Sequence, residues 1–107
     1  MQRERGLKYQ MRLLEVIEQL NSLPSQTYIC ARRPWTADSD VLLVPYFEAP
    51  AGIPKEVTEQ GYVYFLEVDT ANEILEGYLK TTPPIVKITE FVIYYAENDA
   101  FPDWSFT

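Results

Sequence analysis

Histidine is absent from the 107 residues, cysteine occurs once and glycine four times. Without histidine there is no imidazole general base, no neutral imidazole ligand for a metal, and no Ser-His or Cys-His dyad. The lone Cys30 excludes an internal disulfide and fits a reducing compartment. Its place between Ile29 and Ala31 makes it a small buried hydrophobe. Four scattered glycines cannot form a phosphate-cradling loop. Long apolar runs are also missing. The longest, such as Tyr62 to Leu66 and Phe91 to Ala96, fall far short of the roughly 20 residues that a membrane-spanning helix needs, and no basic-then-apolar leader opens the sequence.

Basic residues are scarce after the first third. Residues 1–33 hold six basic and three acidic residues, a net +3, whereas residues 34–107 hold three basic and thirteen acidic ones, a net −10. The total is −7. Such a field opposes direct binding of nucleic acid or anionic lipid and steers in a cationic protein. An acidic surface also serves solubility alone.

What is present suffices for one folded domain. Hydrophobic residues make up 47% of the chain, with eight prolines and eight tyrosines, which argues against disorder and for a single core with rigid turns. The first five residues, polar apart from Met1, are expected to fray. Tyr9, Leu13, Ile17 and Leu20 recur at helical spacing and predict an amphipathic helix over 7–20, ended by Asn21, Ser22 and Pro24. Thr27–Ala31 and Val41–Tyr46 read as strands of an antiparallel hairpin with a long connection, Pro45 marking an edge or bulge. Pro54 suits the start of a short helix that Gly61 stops. Tyr62–Val68 is the third strand. Thr70 and Glu73 match a capping box ahead of a helix buried through Ile74, Leu75, Tyr78 and Leu79.

Residues 85–98 are rich in β-branched side chains, which favour a strand. Lys87, Glu90, Tyr94 and Glu97 nevertheless form a polar stripe at helical period, opposite Ile85, Ile88, Val92 and Tyr95, and the segment is therefore assigned as a helix. The resulting expectation is an α+β domain over residues 1–107: a small, mainly antiparallel three-stranded sheet covered by about three helices.

Candidate chemistry is confined to carboxylates and rings. Asp38-Ser39-Asp40 and the group Glu97, Asp99 and Asp103 could supply oxygens to a hard cation, but neither matches the twelve-residue calcium loop. Acids in loops also serve as solvated turn formers. Paired acids could serve a glycosidase-like hydrolysis, which needs a larger cleft than a chain of this length usually builds. No cofactor, metal site or catalytic residue is assigned. Arg32-Arg33-Pro34-Trp35 is the one basic-aromatic cluster. It could stack a nucleobase or contact a phosphate, and Trp35 could anchor a partner beside Asp38 and Asp40. The favoured reading is an internal ion pair beside a ring that caps the core. The closing segment from Tyr94 to Trp104 combines rings, acids and Pro102 as recognition surfaces do. Its rings Phe101 and Trp104 serve either as partner anchors or as a clasp folded back on the core.

Leu14–Ile17, Tyr28–Cys30, Pro34-Trp35, Tyr64–Val68 with Ala71–Leu75, and Tyr94–Asp99 through Pro102–Trp104 together resemble a family of small bacterial proteins. That family looks like the immunity partners of polymorphic toxins, including those of contact-dependent growth inhibition. The resemblance runs from Met11 over most of the chain and is most specific in the final motif. It implies a non-enzymatic protein that neutralises a toxin. Together with the acidic field this gives the expectation that it occludes a basic nuclease toxin, most simply a ribonuclease, without touching nucleic acid or membrane itself. The lone cysteine and short apolar runs give the bacterial cytoplasm as the expected location. From the chemistry of the residues, Glu97, Asp99 and Asp103 would be the charged contacts, Phe101 and Trp104 the anchors, and the Asp38 and Asp40 loop a secondary contact. The alternative is an interaction module, regulatory or structural, with no toxin partner. Oligomeric state is not assigned.

Overall fold

The computed structural model describes residues 11–78 and 83–102. Its strands are β1 (Met11–Arg12), β2 (Thr27–Arg32), β3 (Asp40–Pro45) and β4 (Tyr62–Glu67). The α-helices are α1 (Leu13–Glu18), α2 (Lys55–Glu59), α3 (Val68–Tyr78) and α4 (Ile85–Asn98), with single 3₁₀ turns at Leu20–Ser22 and Tyr46–Glu48. The sheet runs β1-β3-β2-β4 and every pairing is antiparallel. The expected three strands and about three helices are thus corrected to four strands and four helices among the described residues.

The extra strand has a specific cause. Met11 pairs with Val41 and Arg12 with Asp40, so the chain is extended where a helix was expected to be under way. Arg12 keeps an extended backbone, and its N–H donates to Glu15 Oε1 at 2.8 Å. Helix α1 therefore starts only at Leu13. Its first free N–H groups are taken by loop carbonyls, Leu13 by Ser39 at 2.9 Å and Leu14 by Ala37 at 3.0 Å, which satisfies donors that a helix start leaves open. From Leu13 onward the expected stripe holds, since Leu13, Ile17 and Leu20 are buried. Tyr9 and the fraying expected of residues 1–5 lie outside the described residues.

Alternation along the strands sends side chains to two cores. Ile29, Ala31, Val41, Leu43 and Phe65 face the larger one, shared with α1, α3 and α4. Cys30, Val44 and Tyr62 face a smaller one, closed by Ala49 and by Val57 of α2. The link from β3 to β4 therefore crosses the sheet's second face and covers it in part. Pro54 precedes α2, and Gly61 follows it with φ of 91°, a backbone state that an L side chain rarely adopts. Pro45 ends β3 opposite Thr27, beyond the reach of β1, so a missing N–H there breaks no ladder bond.

The capping box expected at Thr70 and Glu73 does not form, because α3 begins at Val68 directly after β4 and holds Thr70 inside its first turn. The N–H of Asp69 instead donates to Ser25 O at 3.2 Å. Ile74 and Leu75 are buried as expected, whereas Leu79 and the Tyr78 side chain lie outside the described residues. Helix α4 occupies the expected residues 85–98. Lys87, Glu90, Tyr94 and Glu97 are exposed along it, and Phe91 and Val92 are buried. Among the described residues no helix is long and apolar enough to cross a membrane.

Candidate functional site

The end of α4 carries the first group of expected contact residues. Asp99 has φ of 53° and ψ of 36°, and its N–H donates to Tyr95 O at 2.7 Å. Aspartate tolerates this left-handed state better than most residues and here closes the helix. Glu97 and Asp99 are exposed, and no basic residue lies in the last turn. Acids at a helix C-terminus oppose the macrodipole, at a cost of about 0.3–1 kcal/mol each. The macrodipole therefore favours neither acid, although Asp99 has a local role in closing the helix.

Phe101 is 47% exposed. Its ring lies against Phe91, with centroids 5.8 Å apart and planes 14° apart, and against Tyr95 at 5.3 Å. Pro102 is fully buried. Phe101 is thus a clasp on one face and solvent-accessible on the other. Asp103 and Trp104 lie outside the described residues.

The Asp38 and Asp40 corner is built differently. Asp38 pairs with Arg12 at 3.4 Å and Asp40 with Arg32 at 3.5 Å, all four side chains being substantially exposed. Arg32 also donates to Gln60 O at 3.1 Å and lies over the Tyr62 ring, while Arg33 lies over Trp35. The arginine cluster is therefore engaged internally, as the sequence suggested, and the two acids present a surface of mixed sign. Trp35 is buried, its Nε1–H donating to Ala31 O at 3.1 Å and its ring edge-on to Phe65. It caps the core and is no partner anchor. Among the described residues no hydrogen bond or ion pair joins this corner to Glu97 or Asp99, and no group of three acids or thiols able to hold a metal forms.

Two features escaped sequence reasoning. Tyr28, Tyr46 and Tyr64 gather on the sheet's second face, Tyr28 lying 4.8 Å from Tyr46 and 6.3 Å from Tyr64 between ring centroids. The Tyr46 hydroxyl donates to Glu67 Oε1 at 2.6 Å. That bond, aided by desolvation, pushes the phenol well above its ordinary pKa. Burial, then the charge of Glu67, pushes Tyr64 up as well. Neighbouring Phe47 is 82% exposed. The alternation of β2 could have placed Tyr28 outward, but only the cross-strand register Tyr28–Glu67 brings the carboxylate beside it.

The second feature is a groove of about 610 Å³ where α1, the Leu20–Ser22 turn, α3 and α4 meet. Ile17, Leu20, Leu75 and Ile88 line it with the acids Glu18 and Glu76. No local pattern announces it, because its walls come from three helices.

No curated protein and no solved structure matches the chain. The family model described as a domain of unknown function (DUF7716) does match, over residues 10–104, and the chain belongs to that family.

Proposed function

We propose that this chain is a binding protein of the immunity class, which captures a cationic nuclease toxin domain, most simply a ribonuclease, and occludes its active site. The observation that carries the reading is Glu97, exposed at the helix end that disfavours an acid, with the exposed carboxylate of Asp99 beside it and the half-exposed ring of Phe101 next to both. A toxin that cleaves nucleic acid needs a cationic cleft for phosphates, and carboxylates can stand where those phosphates would lie. Charge selects and accelerates the encounter, while a partly exposed ring supplies contact area. Asp38 and Asp40 stay secondary contacts in this reading, and their ion pairs with Arg12 and Arg32 are in keeping with that rank. The resemblance noted in the sequence supports the same class.

The test compares wild type with the triple variant Glu97→Gln, Asp99→Asn, Asp103→Asn. Asparagine is chosen at 99 because it too tolerates the left-handed state. Each is used as bait in lysate of the source cell, and retained proteins are identified by mass spectrometry and assayed as purified nucleases. Stoichiometric inhibition of a basic nuclease by wild type, weakened in the triple variant, is the expected result. Retention of a partner without nuclease activity would move the chain to the interaction-module alternative. A nuclease bound equally by both baits would remove the tail from the interface.

A further inference from the structure

Resting on the reading that the partner is cationic, we infer that the groove between α1, α3 and α4 seats a basic amphipathic segment of that partner, a second contact apart from the tail. Its volume of about 610 Å³ is within the range of sites that hold a specific ligand. Ile17, Leu20 and Leu75 are already buried side chains of the main core, so the groove floor is packed from beneath. Asn72 Nδ2 donates to Leu20 O at 3.3 Å and ties α3 to the end of the first helical segment. The floor is thus fixed, and the half-buried Ile85 and Ile88 of α4 supply its accessible apolar surface beside the polar Asn21 and Asn72.

The rim decides the occupant. Glu18 and Glu76 line the groove and are exposed, and neither makes a hydrogen bond or ion pair among the described residues. A purely apolar occupant would strip water from two carboxylates and return nothing. An anionic one would meet them and the chain's net −7. A leucine-rich segment carrying arginine or lysine meets both demands, because long basic side chains lay an apolar stem along apolar surface and leave the charge at the edge. A helix or extended segment with apolar and cationic side chains on one face is the chemistry that fits.

The probe is a capped helical peptide of leucine and arginine, titrated into the isotopically labelled full chain and followed by backbone amide shifts, with a leucine–glutamate peptide as control. Shifts should concentrate at Ile17, Leu20, Asn72, Leu75 and Ile88 with the arginine peptide and be absent with the control. The double variant Glu18→Gln, Glu76→Gln should weaken binding by about tenfold and lose most of its salt dependence. Both substitutions are at exposed positions, so the fold is preserved. The variant Glu97→Gln, Asp99→Asn should leave the groove shifts unchanged, which separates this site from the tail. Arginine-peptide shifts confined to the end of α4 would overturn the groove while leaving a cationic partner in place. No shifts anywhere would overturn both. Groove shifts on dilution of the protein alone would mean that a second copy fills it, and would also overturn the proposal.

Discussion

Phe101 stacks on Phe91 almost in parallel, with ring centroids 5.8 Å apart and planes 14° apart, so the last described residues are held to the core by the helix they leave. Phe91 is 1% exposed and Phe101 is 47% exposed, which separates their contributions. Phe91→Ala should cost about 3–5 kcal/mol, as full burial and a residual cavity imply. Phe101→Ala should cost only about 1–2 kcal/mol, since half of its area never leaves water. A double-mutant cycle by urea unfolding should return a coupling of about 0.5–1.5 kcal/mol for the ring pair. Zero coupling would mean that Phe101 does not rest on Phe91 in solution.

The Tyr46–Glu67 bond joins the turn after β3 to the end of β4 and should be measurable as a pair. A 2.6 Å hydroxyl-to-carboxylate contact is charge-assisted, and partial burial keeps it worth about 1–2 kcal/mol. Tyr46→Phe and Glu67→Gln should each destabilise, and the double variant should cost less than the two added together. Ultraviolet titration offers a second readout. Glu67→Gln should bring Tyr46 down toward its ordinary pKa, because the bond to Glu67 is the largest cause of its upward shift, and should lower Tyr64 by less, since burial is the larger cause there.

These two pairs also mark what could be read in the chain. Helix α4 was readable because four polar side chains, Lys87, Glu90, Tyr94 and Glu97, repeat at helical period over a segment without a turn. The strand at Met11–Arg12 was not, because its reason to be extended is the distant partner strand at Asp40–Val41, and a local amphipathic pattern carries no record of it. Thr70 and Glu73 misled for the same kind of reason. The chain enters α3 directly from the sheet, and the loop carbonyl of Ser25 occupies the N–H of Asp69. Among candidate contacts, Glu97 and Asp99 could be read as exposed because charge resists burial. The pairing of Asp38 and Asp40 with Arg12 and Arg32 is tertiary. So is the groove beneath Glu18 and Glu76, which needs three helices in place.

Thr27 should tolerate, and gain from, loss of its hydroxyl. Its side chain is buried at the start of β2, and Oγ1 has no hydrogen-bond partner among the described residues. A buried hydroxyl without a partner costs about 1–3 kcal/mol of desolvation. Valine keeps the branched shape that suits a strand. Thr27→Val is expected to stabilise by about 0.5–1.5 kcal/mol in chemical denaturation. A loss of stability would indicate that the hydroxyl is hydrogen-bonded in solution.

Cys30 should make the protein more sensitive to alkali. Burial pushes its thiol from 9.0 up to about 11, because the thiolate would be desolvated between β3 and β4. Between those values the unfolded chain releases the proton and the folded chain keeps it. The unfolded state then binds fewer protons, so stability falls as pH rises, by at most about 1.4 kcal/mol per pH unit. The contribution is intact below pH 9 and lost by about pH 11. Tyrosines and lysines titrate in the same range, so the measurement is the difference between wild type and Cys30→Ala. The alanine variant should be slightly less stable at neutral pH, through a small cavity, and should lose stability less steeply above pH 9. Thiol reagents should react with folded wild type only as fast as it opens, since the nucleophile is the thiolate. Parallel stability curves for the two proteins, or immediate modification of the native thiol, would place Cys30 outside the buried strand face.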